Sequence, residues 1–122
     1  MLERAANAYR RADLESAPKT KIVERLFDRF VADLATARDA IAAKDVRTKA
    51  SALDHALQIV IELKASLDFT AAPELCANLS ALYDFATERV VAASLTLTPE
   101  PLDQATRVMS ELGDAFRSAH AQ

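Results

Sequence analysis

The stretch SLDFTAAPELCANLSALYDF, residues 66–85, decides the fold. It contains a helix end, a break around Thr70 and Ala71, and a new helix start at Ala72-Pro73. Proline is tolerated in the first turn because the N–H it lacks has no intrahelical partner there. Beyond the break, Leu75, Leu79, Leu82 and Ala86 recur at four and three residues, the period of an amphipathic helix. Arg89 and Ala93 continue the same series. Phe85 lies well off this seam. A seam alone suffices to hold a helix in a bundle, so an aromatic outside it calls for a separate reason.

The same punctuation recurs along the chain. Pro18, Pro99 and Pro101 also stand where helices begin. Ser16 is an N-cap candidate ahead of Ala17-Pro18, and Asp45 is one after the short connection AAKD, residues 42–45. The reading is four helices near 17–43, 45–68, 72–94 and 101–119. Connections this short make successive helices antiparallel neighbours. The expected fold is therefore all-α: an antiparallel up-down four-helix bundle over residues 16–122. Residues 1–15 precede it as a short arm or helix. A first helix of this length spans about 40 Å, giving an elongated domain.

Composition supports the helical reading. The chain has 122 residues, half of them apolar, and a single glycine, Gly113. Glycine supplies the positive-φ turns of hairpins and the phosphate loops of nucleotide sites, so its scarcity argues against an all-β fold and a nucleotide fingerprint. The net charge is −3 with scattered Lys and Arg, which disfavours nucleic acid as a partner. No apolar run reaches about 18 residues, so membrane insertion is not expected. The lone Cys76 excludes an internal disulfide.

Little in the sequence offers catalytic chemistry. The histidines are His55, facing away from the second helix's seam, and His120 near the end of the chain. No Glu-x-x-His pair of the di-metal bundles occurs, so no metal and no cofactor is expected. Cys76 flanks the third helix's seam without a basic neighbour, which fits a buried thiol better than a nucleophile. Arg89 occupies a seam position, where a guanidinium either snorkels to water or meets a carboxylate. Asp33, inside the first helix's apolar arc, is a candidate partner.

Apolar stripes differ in width. The fourth helix has a tidy seam of Leu102, Ala105, Met109, Leu112, Phe116 and Ala119. The first is wider, with Ile22, Val23, Leu26, Phe27, Phe30, Val31 and Leu34 covering about half the circumference, beyond the usual bundle stripe. The second adds Ile59 and Ile61 outside or at the edge of its seam, and the third adds Phe85 and Val91. Scattered exposed hydrophobes, cover by the N-terminal arm, and a partner-binding groove all account for such a surplus.

Three segments carry a resemblance to a known family. They are NAYRRADLESAPKTKIVERLFDRF (residues 7–30), HALQIVIELKASLD (residues 55–68) and LCANLSALYDFATERVVAA (residues 75–93). In this order and spacing they resemble the flagellar secretion chaperone FliS family. The matching elements include Ala8-Tyr9, Ser16-Ala17-Pro18, Leu26-Phe27-Asp28, Leu67-Asp68 and Arg89. Two departures are Arg89-Val90 followed by Ala93-Ser94 at the end of the third helix, and Phe116 where the family often has Trp.

The resemblance implies a cytoplasmic, non-enzymatic bundle that binds the disordered C-terminal segment of flagellin and so prevents premature polymerisation. It further implies links to the export apparatus and, in some members, to an anti-sigma factor. On this reading the off-seam apolar side chains receive the client's own apolar face. The expected client-binding residues are Tyr9, Ile22, Phe27, Ile59, Ile61, Tyr83 and Phe85. Ile59 and Phe85 leave their seams, Ile22 and Phe27 lie near the edges of the wide stripe, and Tyr83 presents its ring with a wet hydroxyl. The arm, with Tyr9 and Leu14, is expected to pack on this surface until a client displaces it. The expected state is a monomer or weak homo-oligomer; the competing class is a self-associating bundle that spends the same surplus on a dimer interface.

Overall fold

A computed structural model describes residues 17–119. Helix α1 is Ala17–Ala43, α2 is Val46–Ala65, α3 is Pro73–Leu95 and α4 is Glu100–Ala119. Among the described residues there is no strand. Each helix packs on its neighbour in the chain, and α1 also packs on α4, closing a ring of four. This is the expected up-down bundle. Ser16 and the whole of the expected arm lie outside the described residues.

The helix ends follow from local chemistry. At the end of α1, Lys44 adopts φ 57°. The Lys44 N–H donates to the Ile41 carbonyl at 3.1 Å and the Asp45 N–H to the Ala40 carbonyl at 2.8 Å. This is the paired-bond closure usually built on glycine in the left-handed position, here carried by lysine. Asp45 then caps α2 as expected: its carboxylate accepts from the Thr48 N–H at 3.1 Å and from the Thr48 hydroxyl at 2.6 Å. Pro73 opens α3 behind Ala72, and the buried Pro101 lies in the first turn of α4.

Helix α2 ends three residues earlier than the expected 68. The Ser66 N–H reaches back to the Glu62 and Leu63 carbonyls, and the Ser66 hydroxyl also donates to the Glu62 carbonyl at 2.9 Å. Asp68 then accepts from the Thr70 and Ala71 N–H groups, turning the chain toward α3.

The core rows carry the helical period. Helix α1 buries Val23, Phe27, Phe30, Leu34, Ala37 and Ala40, while α4 buries Leu102, Ala105, Met109, Gly113 and Phe116. Gly113 marks the closest approach of α4 to α1. A Cβ added there would stand 3.0 Å from the Cβ of Phe27, whose ring meets that of Phe116 at a centroid distance of 6.1 Å.

Helix α3 is rotated from its expected phase. The buried row is Cys76, Leu79, Tyr83, Ala86, Val90 and Ala93. It shares Leu79, Ala86 and Ala93 with the expected seam but replaces Leu75, Leu82 and Arg89. The two rows differ by roughly 50° at 100° per residue. The rotation buries Tyr83 and Val90 and moves Arg89 to the rim, where its terminal nitrogens reach Gln104 and Glu88 while its Nε stays buried.

Charged pairs fasten the outside. Lys64 meets Asp84 at 2.7 Å between α2 and α3, and Arg117 meets Asp28 at 2.7 Å between α4 and α1. Exposed pairs of this kind are each worth about 0–1 kcal/mol, so they contribute more to register than to stability. Lys49 differs, because it is buried and its ammonium donates to the Thr96 carbonyl at 2.6 Å, at the C-terminal end of α3. A cation there meets carbonyls that the helix leaves unpaired.

Candidate functional site

Helices α1 and α2 diverge enough on their outer side to leave an open cleft of about 570 Å³. The apolar part of its lining is Ile22, Leu26 and Ala32 from α1 and Ile59 from α2. A second cleft of about 490 Å³ carries the depression on toward the 44–45 connection, lined by Thr36, Arg47, Thr48 and Ser51 among others. Arg29 and His55 line both, so the two form one continuous trough. Across its middle the Nδ1 of His55 bonds the carboxylate of Asp33. The large aliphatic side chains Ile22, Leu26 and Ile59 line the first cleft, while Thr36, Thr48 and Ser51 line the second.

A second surface lies on the rim of α3. Phe85 and Leu82 are exposed there, and the Arg89 guanidinium carbon stands 5.9 Å from the centroid of the Phe85 ring. Arg89 also donates to Gln104 on α4 at 3.2 Å and pairs with Glu88 at 2.7 Å. Asp33, the partner considered from sequence, is engaged by His55 on the other side of the bundle instead. Arg89 thus takes neither option fully: its stem and Nε are buried while its tip reaches polar groups at the edge.

The seven expected client residues separate into three sets. Ile22, Ile61 and Phe85 stand on the outside, with 47%, 66% and 38% of their surfaces exposed. Phe27, Ile59 and Tyr83 do not present themselves as surface anchors, since all three are buried. Phe27 packs at the tight α1–α4 contact, and Ile59 forms floor beneath the trough rather than a protruding edge. Tyr83 was expected to keep its hydroxyl wet, but the rotation of α3 turns it inward and leaves that hydroxyl without a hydrogen-bond partner. Burial pushes its phenol far above the ordinary range. Tyr9 lies outside the described residues.

Sequence reasoning passed over Arg25, Arg29 and Arg47 along the trough, and Leu95 and Leu97 at the far end of α3. The exposed Leu95 and Leu97 share a pole of the bundle with the exposed Val46, where Lys49 of α2 bonds the Thr96 carbonyl. A periodic reading discards such end residues as connections.

Cys76 is buried, its thiol donates to the Asp68 carbonyl at 3.3 Å, and burial with the nearby Asp68 charge pushes its pKa up, opposite to an activated nucleophile. Among the described residues no group of three or more His, Cys, Asp or Glu could hold a metal ion. No described helix is long and apolar enough to cross a membrane.

The fold and surfaces define a helical binding bundle. Comparison with known proteins makes the class specific: the family described as flagellar protein FliS matches residues 1–122, and this chain belongs to it. The flagellar secretion chaperone FliS of Salmonella typhimurium is 31% identical over 115 residues, covering 90% of this chain and 85% of its own. The proteins of the same name from Vibrio cholerae and Escherichia coli are each 26% identical, covering 89% and 95% of this chain and 83% and 89% of their own. The family is one of chaperones, not of enzymes.

Proposed function

We propose that this chain is a cytoplasmic flagellar export chaperone that holds the C-terminal segment of flagellin and keeps it from polymerising before export. Membership of the family supports the flagellar role. The observation that carries the client reading is the placement of Ile22, Ile61 and Phe85 on the outside of a bundle whose core is already filled without them. An amphipathic segment that is unfolded alone gains order by laying its apolar face on such side chains. Ile59 contributes the floor of the α1–α2 cleft, while Phe27 and Tyr83 hold the helices that present the surface. The export apparatus and an anti-sigma factor are further partners that the family membership suggests.

Calorimetric titration with the flagellin C-terminal segment tests the reading. The expected result is one specific binding event that weakens at least tenfold, about 1.4 kcal/mol, in Phe85→Ala at nearly unchanged melting temperature. Absence of binding by the wild-type chain would refute it. A self-associating bundle is the second reading, favoured by the exposed Val46, Leu95 and Leu97 at one pole. Sedimentation separates the two, since a stable dimer that ignores flagellin belongs only to the second.

A further inference from the structure

The trough between α1 and α2 is lined by three arginines that have no partner among the described residues. Arg25, Arg29 and Arg47 are exposed and make no ion pair or side-chain hydrogen bond among the described residues. Each has an acidic neighbour in sequence, and each neighbour is already engaged. Asp28, three residues after Arg25, is held by Arg117 at 2.7 Å. Asp33, four residues after Arg29 and well placed for a pair along the helix, is bonded to His55. Asp45, two residues before Arg47, is occupied in capping Thr48. Among the described residues these three cations therefore stay unpaired along one face.

From this we infer that the trough takes a carboxylate-bearing amphipathic helix of the client, an assignment that rests on the client reading above. The trough runs from Ile22 to Thr36 along α1, about 21 Å, which accommodates about four helical turns. Its apolar half, around Ile22, Leu26 and Ile59, receives the apolar face of the segment. Its polar half, around Arg29 and Arg47, receives the carboxylates, where planar guanidinium groups match carboxylate geometry. Glu62 also lines the apolar end and has no side-chain partner among the described residues. A phosphate backbone would find no counterpart for the apolar half.

The test titrates the full chain with the flagellin C-terminal segment at low and high salt. The double variant Arg29→Glu/Arg47→Glu is expected to bind at least tenfold more weakly and to lose the salt dependence of the wild type. Its melting temperature should stay unchanged, because neither arginine has a partner to lose among the described residues. Arg107→Glu, on α4 and outside the trough, supplies the control for net charge and should bind as wild type. A flagellin segment with Asp and Glu replaced by Asn and Gln should bind the wild-type chain as weakly as the native segment binds the double variant. Unchanged affinity of the double variant, or an equal loss in Arg107→Glu, overturns the trough assignment and leaves the client reading standing. Failure of the wild-type chain to bind at all removes both.

Discussion

Gly113 and Phe27 meet where α4 and α1 come closest: a Cβ on the glycine would stand 3.0 Å from the phenylalanine Cβ. The contact is at the root of the Phe27 side chain, which cannot swing aside as a flexible tip would. Alanine would gain about 1 kcal/mol of helix propensity over glycine. Overpacking a filled core costs about 1–3 kcal/mol and is the larger effect here. Gly113→Ala should therefore lower stability in urea unfolding, and an increase would mean that the two helices can separate freely.

Tyr83 carries a fully buried hydroxyl with no partner among the described residues. Leaving such a group unsatisfied costs about 1–3 kcal/mol, so Tyr83→Phe should be as stable as wild type or more so. Tyr83→Ala, which opens a cavity, should lose about 3–5 kcal/mol. Burial raises the phenol's pKa, so the unfolded chain ionises first as the solution becomes alkaline. Stability linked to this group is whole below the ordinary tyrosine value of about 10 and falls as pH rises beyond it. Melting curves between pH 8 and pH 11, as about the accessible range, should show that fall reduced in Tyr83→Phe.

Lys44 closes α1 at φ 57° with a side chain that disfavours that region. Lys44→Gly keeps both closing hydrogen bonds and removes the steric penalty. A gain of about 0.5–1 kcal/mol is expected. Lys44→Val should lose stability, and equal melting temperatures for the two variants would contradict the strained-lysine account.

Asp45 is held below the usual carboxylate range by hydrogen bonds from the Thr48 hydroxyl and then the Thr48 N–H. Its contribution is present above the unfolded value of about 3.9 and is lost as pH falls through the lower folded value. Asp45→Ala should melt below wild type at neutral pH, and the gap should narrow at about pH 3. A gap that stays constant across that range would show that the cap does not act through the ionised carboxylate.

Helix order and breaks were legible because prolines and one capping aspartate mark them in the chain itself. The phase of α3 was not, because Leu79, Ala86 and Ala93 fit two neighbouring seams equally well. The choice between them depended on where Arg89 could keep its head near polar groups, and that depends on Gln104, which belongs to another helix. Tyr83 and Ile59 were misplaced for the same reason, since rotation and neighbour spacing are properties of the packed set. Ile61 and Phe85 were readable as outside residues because each leaves its own helix's seam, and Ile22 because it lies near the edge of a wide stripe. The free arginines of the trough were invisible: their isolation depends on Asp28, Asp33 and Asp45 being taken by residues that only the folded chain brings near.

The closed ring of neighbours has no first member. Helix α1 touches α2 and α4, and α4 touches α3 and α1, so the contact pattern would survive relabelling any helix as the start. Residues 17 and 119 share one pole, while the 44–45 connection lies at the other. A circularly permuted gene, opened between Lys44 and Asp45 and joined through the present terminal segments, would encode all four helices in their present neighbourhoods. It would also cut the covalent link between α1 and the Asp45 cap of α2, leaving only the Asp45 N–H bond to the Ala40 carbonyl and the packing of the two helices to couple them.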